Sequence, residues 1–395
     1  MIQSLLLSSL VVLLLPSLYL YLVYMYKNPK VKRVLKVLYW GFIFALCIGL
    51  YIAIKNPFNT DFTLYPRSIG VYALCYFIAV NPLLFLTSTS LLGFFFYKFP
   101  RIRKGLMLVG VGLSLFSAFI ILYGSFIGRE KFQVKEVNYT HSQIPASFNG
   151  YKIVQLSDIH LGSWFDNPKP VQRIVDLVNA QNPDLIVFTG DLVNHKDDEM
   201  NPFMEVLSQL KAKDGVFSIL GNHDYGPYYK HWKNPEDQQE SFLRLQDKQR
   251  QMGWQLLNNE HVFLVNGSDS IALIGVENDG EPPFAQYGDL KKAAEHTEGY
   301  FRILLSHNPT HWGREVLPTT DIPLTLSGHT HGMQFQLGSF SLASQVYPEW
   351  GGMYTEGDQS LYVNIGIGSV GPPFRWGAWP EITVFTLFQE WILPH

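Results

Sequence analysis

The chain has 395 residues, a formal net charge of −3 and 16 % charged residues, below the ~25 % usual for soluble domains. Of its 33 acids and 30 bases, residues 1–128 hold one acid, Asp61, and eleven bases, so the rest of the chain is strongly acidic. This division excludes a single uniform soluble domain, and an acidic larger part without a basic, aromatic-interleaved patch excludes nucleic acid as the expected partner.

Four apolar runs come first, at residues 4–25, 37–54, 69–97 and 106–127, and none contains a charged residue. About 20 apolar residues cross a bilayer core, and these runs lack the polar stripe of a soluble amphipathic helix, so four transmembrane helices are expected. The first run has neither a basic leader nor a small-residue cleavage site, so it is taken as a helix and not a signal peptide. Kinks are expected at Pro16 and at Asn81-Pro82. Cys47 and Cys75 both lie in these runs and offer neither a disulfide framework nor a thiolate metal site.

The loop after the first run carries Lys27, Lys30, Lys32, Arg33 and Lys36, and the loop after the third carries Lys98, Arg101, Arg103 and Lys104. The loop between runs two and three has only Lys55 and Arg67 against Asp61. Positive loops stay cytoplasmic, which places the N-terminus and everything after the fourth run on the extracytoplasmic side of a plasma membrane. The expected organisation is a four-helix membrane domain at 1–128, a connector at 129–149 and a soluble domain at 150–395.

The soluble part opens with apolar runs at 151–160, 183–194 and 214–224, separated by helical spacing at 171–182 and 201–213. This βαβα rhythm implies a sheet covered by helices. A charged helix is expected at 236–252. Strands are expected within 261–265, 270–278, 300–309, 322–332, 360–366 and 381–388, enough for a second sheet packed on the first.

Five of these strands end in polar clusters: Asp158-Ile159-His160, Gly190-Asp191, Gly221-Asn222-His223-Asp224, Ser306-His307-Asn308 and Gly328-His329-Thr330-His331-Gly332. Each of the first four alone suits an ordinary turn or an exposed histidine, whereas Gly328-His329-Thr330-His331-Gly332 points to a site by itself. Their joint occurrence at strand ends, where α/β proteins place ligands, points to a shared site. In an extended segment i and i+2 face the same way, so Asp158 with His160, and His329 with His331, present paired ligands. Asp158, His160, Asp191, Asn222, His307, His329 and His331 supply carboxylate, amide and imidazole donors without sulfur, a set suited to Mn, Fe or Zn. With one aspartate bridging, these seven residues fit two divalent metal ions with a position left for water. The other histidines, His141, His195, His231, His261, His296, His311 and His395, are taken as ordinary surface residues.

These clusters resemble the calcineurin-like metallophosphoesterase superfamily, whose order is D-x-H, GD, GNH[DE], a lone H and GHxH. The resemblance spans roughly residues 150–390, and the ending LYVNIGIGSVGPPFRWGAWPEITVFTL (361–387) is similar to that of the bacterial membrane-associated branch. It implies an α/β four-layer sandwich, two mixed β-sheets flanked by helices. It further implies one metal on Asp158, His160, Asp191 and His331, and a second on Asp191, Asn222, His307 and His329. His223 would stand beside the substrate as acid/base. Many members carry an acid three residues after the bridging Asp to orient that histidine, and here the position is Asn194. An amide supports an imidazolium less than a carboxylate does, so either Asp224 or another group assists, or His223 is a weaker acid/base.

The implied reaction is hydrolysis of a phosphomonoester or phosphodiester by hydroxide held between the metals, in a membrane-anchored enzyme. A phospholipid or lipid-linked head group is the first substrate class, because the catalytic part begins about 20 residues after the fourth run and is followed at 338–358 by an aromatic, Gly-rich segment. That segment reads equally as a substrate- or bilayer-facing flap and as a plain surface loop. No obligate protein partner is evident. The alternative is a membrane channel or sensor with a metal-binding regulatory domain. The absence of charge from the apolar runs speaks against an ion path.

Overall fold

The structure is a computed structural model that describes residues 2–55 and 65–390; Asp61 and His395 lie outside them. It divides into two units, one built on the N-terminal helices up to Ile127 together with Gly371–Phe374, the other comprising Gly128–Val370 and the chain from Arg375 onward.

The four apolar runs are helices α1 (Ile2–Leu20), α2 (Arg33–Lys55), α3 (Tyr65–Phe95) and α4 (Pro100–Phe126), all long and apolar enough to cross a membrane. Pro16 lies inside α1 and Pro82 inside α3, and a wide helical turn at Tyr21–Tyr26 continues α1. Leu13, Ile43, Leu46 and Val80 form a small core, while Leu15, Phe44, Leu108 and Leu115 point outward. An apolar exterior around a thin interior is what lipid as solvent favours. Polar side chains pair across the bundle: the Tyr24 hydroxyl and Ser90 Oγ are 2.6 Å apart, and the Tyr76 hydroxyl donates to the Ser9 carbonyl at 2.6 Å.

The second unit holds two six-stranded mixed sheets. The strands are β1 (Gln133–His141), β2 (Lys152–Leu156), β3 (Leu185–Phe188), β4 (Val216–Ser218), β5 (Trp254–Leu256), β6 (Glu260–Asn266), β7 (Asp269–Gly275), β8 (Phe301–Leu305), β9 (Leu324–Ser327), β10 (Gln336–Leu337), β11 (Phe340–Ser341), β12 (Gly352–Glu356), β13 (Gln359–Val363) and β14 (Glu381–Gln389). The first sheet runs β1-β14-β2-β3-β4-β5, the second β12-β13-β9-β8-β7-β6, and β10-β11 form a separate hairpin. In the first sheet only β14 and β2 pair antiparallel; in the second the antiparallel pairs are the two edges, β12-β13 and β6-β7.

Strand alternation builds the layers. Ile153, Leu185, Val187 and Phe217 face inward and meet Ile271, Leu273, Ile303, Leu305 and Leu324 of the second sheet. Their neighbours Val154, Ile186 and Phe188 face outward under α5 (Pro168–Asn179), which buries Val171, Ile174, Val175 and Val178 on one stripe. Ile274, Leu304, Leu361 and Val363 cover the far face of the second sheet together with Trp312 and Val316. Asn167 caps α5 by accepting from the Lys169 amide, and Pro168 follows at its first position. The result is the four-layer sandwich.

Three segments differ from the expected elements. Residues 129–149, expected as a connector, carry β1, a nine-residue edge strand parallel to β14. The helix expected at 201–213 is a tight turn of helix at Asp197–Phe203 followed by one α turn, α6 (Met204–Leu207). Asp197 is tied at the start of that turn by Ser241, Arg244 and Lys248 of α7 (Pro235–Gln251), which fixes its path more strongly than helix spacing does. The segment 338–358, taken as flap or loop, contains β11 and β12.

Candidate metal centre

The five polar clusters follow β2, β3, β4, β8 and β9, and they meet. Asp191 Oδ2 lies 3.2 Å from His307 Nε2 and 3.6 Å from His160 Nε2, between the two groups of ligands. On one side, His331 Nε2 is 3.1 Å from His160 Nε2 and 3.3 Å from Asp158 Oδ1. On the other, His307 Nε2 is 3.2 Å from both Asn222 Oδ1 and His329 Nδ1. Asp158 also accepts from the His329 amide at 3.0 Å, closing the ring of loops. All seven residues expected as ligands are thus within one site.

They converge by a different route from strand alternation. Asp158, His160, Asp191, His329 and His331 all have left-handed backbone, with φ of 51°, 45°, 59°, 73° and 53°. Non-glycine residues enter this region at a cost, and clusters of such residues mark functional sites. Successive left-handed turns, not an extended chain, aim each pair inward. The neighbouring glycines are needed for close approach: a Cβ on Gly328 would stand 1.9 Å from Ser157 Oγ, and one on Gly221 would stand 2.2 Å from Asp191 Oδ1.

Outer partners fix the ligating nitrogens. His307 Nδ1 donates to the Thr189 carbonyl at 2.8 Å, which directs Nε2 at Asp191 and the centre, where a metal would displace its proton. His329 Nε2 is 3.0 Å from the Tyr347 hydroxyl, and in the tautomer that donates this bond Nδ1 is open toward the centre. Asn222 Nδ2 donates to the Tyr228 hydroxyl at 2.9 Å, which turns its carbonyl oxygen inward. Such partners orient metal ligands and set their tautomers. Arg375, fully buried, donates to the carbonyls of Gly368, Ile365 and Ala378 and reaches His331 Nδ1 at 3.2 Å. Burial lowers its guanidinium to about 10. The sequence signals for Tyr228, Tyr347 and Arg375 were not usable, since each lies outside a metal-ligand pattern.

Electrostatics suit a cation. Burial opposes charge on Asp191, but the imidazoles of His307 and His223 outweigh it and hold the carboxyl well below the usual range. Burial lowers His307 too, but Asp191 overrides it and raises the imidazole to about 9. Burial drives His160 and His331 far below their ordinary value and His329 to about 3, so these three favour the neutral form. Burial raises Asp158 to about 7. The Nε2 atoms of His160 and His331 face each other at 3.1 Å beside Asp158 and Asp191, a spacing that serves a ring-to-ring hydrogen bond or, with the proton released, two ligands of one cation. The oxygen and nitrogen donor set therefore fits divalent metal ions.

The residues expected to assist His223 stand differently. His223 Nδ1 meets the main-chain carbonyl of Asn194 at 2.7 Å, while the Asn194 side chain donates to the Ser369 carbonyl at 3.2 Å. Asp224 accepts from the amides of Asp191, Leu192, Val193 and Gly221, so its carboxylate holds the Asp191 loop. Glu199, not singled out from the sequence, accepts from the amides of Asn194 at 2.6 Å and Gly162 at 3.1 Å. Burial raises its carboxyl to about 7 despite these bonds. His311, taken as a surface residue, is fully buried between Ser306 Oγ and Glu315.

Two mixed sheets with a convergent Asp/His/Asn centre at their strand ends define a metal-dependent phosphoesterase fold. Residues 151–333 match the family model for the calcineurin-like phosphoesterase. The chain is 35 % identical over 279 residues to the uncharacterized metallophosphoesterase YkuE of Bacillus subtilis, covering 67 % of this chain and 88 % of that one. It is 29 % identical over 373 residues to an uncharacterized metallophosphoesterase of Helicobacter pylori strain J99, covering 91 % and 92 %. It is 34 % identical over 286 residues to a transmembrane protein with metallophosphoesterase domain from Danio rerio, covering 70 % of this chain and 62 % of that protein. The chain belongs to the calcineurin-like metallophosphoesterase superfamily.

Proposed function

We propose that this protein is a membrane-anchored phosphoesterase with a two-metal centre that hydrolyses a phosphomonoester or phosphodiester on the extracytoplasmic side, with a lipid head group as its substrate class. The observation that carries the reading is the meeting of seven candidate ligands from five strand ends, Asp191 at their centre, with His223 held beside them by a separate acceptor.

Asp158, His160, Asp191 and His331 would hold one divalent ion, and Asp191, Asn222, His307 and His329 the other; Mn, Fe and Zn all match the donors. When bound, such ions lower the pKa of water and neutralise phosphoryl oxygens. Asp191 keeps its charge between the two positions and accepts the His223 amide at 2.8 Å, which locks the loop that carries the acid/base. With Nδ1–H directed at the Asn194 carbonyl, His223 presents Nε2 for donating a proton to the leaving oxygen. The His223 ring lies 4.8 Å from the His160 ring, within reach of a group bound at the centre.

Three features support lipid and side. The first is the set of four membrane-length helices, whose basic loops are one and three. Only residues 127–132 separate α4 from β1, a short tether. The third is the position of Tyr347, within the aromatic segment 338–358, on a candidate metal ligand. Full-length protein in detergent, stripped of metal and resupplied with Mn²⁺, Fe²⁺ or Zn²⁺, should cleave members of a panel of aryl phosphates, phosphodiesters and lipid phosphates. No turnover of any of them with any metal rejects the assignment, and a preference for water-soluble esters rejects the lipid class.

A further inference from the structure

The stretch after the last ligand, residues 332–348, contains no Asp, Glu, Lys or Arg, in a unit otherwise rich in charge. Ser341 and Ala343 are buried and anchor it, but its large apolar side chains are exposed. Met333, Leu337, Phe340, Leu342 and Val346 are 40, 53, 48, 48 and 57 % exposed. Isolated exposed apolar residues are ordinary, but five within fourteen positions are a patch.

The backbone explains why they project. β10 and β11 form a two-residue hairpin in which Leu337 pairs directly with Phe340 across the turn at Gly338, where φ is 60°. Opposed residues in an antiparallel pair put their side chains on one face, so the hairpin tip carries an apolar pair. The base is firmly held: the Gln336 amide donates to the Trp376 carbonyl at 2.7 Å and Ser341 Oγ donates to the Gly332 carbonyl at 2.7 Å. A short helical turn at Leu342–Gln345 then leads to Tyr347 on His329. A rigid, charge-free projection therefore begins at His331 and returns to His329.

We propose that this projection, Met333–Val346, is a bilayer-inserting element that seats the metal centre at the lipid surface, so that head groups reach it without leaving the membrane. The proposal rests on the lipid reading above. A bilayer is the occupant that matches an uncharged tip, with amphipathic tyrosine at its base, in a chain that already carries membrane-length helices.

The test uses full-length protein with Cys47 and Cys75 replaced by alanine and a single cysteine at Phe340, Val346 or, as control, the exposed loop residue Ser268, each carrying an environment-sensitive nitrobenzoxadiazole label. In phosphatidylcholine vesicles containing acyl-chain spin-labelled lipid, labels at 340 and 346 should be blue-shifted and quenched at least about threefold more than the label at 268. Equal, weak quenching at all three sites overturns the proposal. Shielding that persists in lipid-free amphipol and grows with protein concentration also overturns it, in favour of a second copy. Insertion is read without turnover, so an inserted tip on a protein that cleaves only soluble esters sinks the substrate reading and leaves the insertion standing. A further variant, Leu337→Asp with Phe340→Asp, should retain Mn²⁺ binding and cleavage of soluble aryl phosphate while losing the quenching at 346.

Discussion

His223 Nδ1 is bonded to the main-chain carbonyl of Asn194, not to its side chain. The position that in many superfamily members supplies a carboxylate here supplies a peptide oxygen, which substitution at 194 does not remove. Asn194→Ala should therefore keep kcat within about threefold of wild type, whereas His223→Ala should lose about a hundred- to ten-thousandfold while retaining metal. Steady-state kinetics beside metal analysis separates the two; a large kcat loss in Asn194→Ala would show that the amide itself is needed.

Tyr228 and Tyr347 each hydrogen-bond a residue of the same candidate metal position, Asn222 and His329. Tyrosine-to-phenylalanine changes keep the rings and remove the hydroxyls. Each should weaken Mn²⁺ binding at that position by about ten- to a hundredfold, in the range seen when outer partners of metal ligands are lost. Titration of metal-free protein followed by electron paramagnetic resonance would show the signal of a coupled Mn²⁺ pair give way to isolated Mn²⁺. An unchanged coupled signal contradicts the assignment of these phenols.

Asp224 accepts four amides that surround the Asp191 turn. Asp224→Asn turns a donor group toward amides that need acceptors, with an expected cost of about 1–3 kcal/mol. The thermal melting point of the metal-free protein should fall. The measurement distinguishes this scaffold role from a direct role on His223, which would spare stability and reduce only kcat.

Glu199 gives a pH-dependent prediction. Burial lifts its folded-state pKa to about 7, above the ordinary 4.5. The folded protein then binds the proton more tightly than the unfolded chain, so this group erodes stability as pH rises from about 4.5 to 7, and the loss is complete above 7. Glu199→Gln removes that titration while keeping an amide acceptor. Relative to wild type, its melting point should improve from pH 5 to pH 8. A difference that is flat across this window contradicts the assignment.

Much of the fold was legible because its signals are local. The uncharged runs gave the membrane-length helices, and continuous apolar segments such as Leu185–Phe188 gave the parallel strands, which are buried on both faces. β1 was not legible: Gln133–His141 is mostly polar, its adjacent Lys135 and Glu136 break any apolar alternation, and its partner β14 lies some 250 residues away. The ligands were legible as residue types at strand ends, but the left-handed turns that aim Asp158 and His160 are set by the neighbouring loops. The outer partners escaped for a similar reason. A carbonyl, such as that of Asn194, leaves no mark in a sequence, and Tyr347 reaches His329 only because the β10–β11 hairpin returns the chain.

The most direct test of the central claim is the number of Mn²⁺ ions bound per chain, measured together with aryl phosphate hydrolysis, in metal-stripped full-length wild type and Asp191→Ala after Mn²⁺ is restored. Asp191 stands between both ligand groups, so the wild type should bind two ions and turn over, while the variant should lose both properties. A variant that binds metal and cleaves ester as the wild type does would show that the residues gathered around Asp191 are not the catalytic centre.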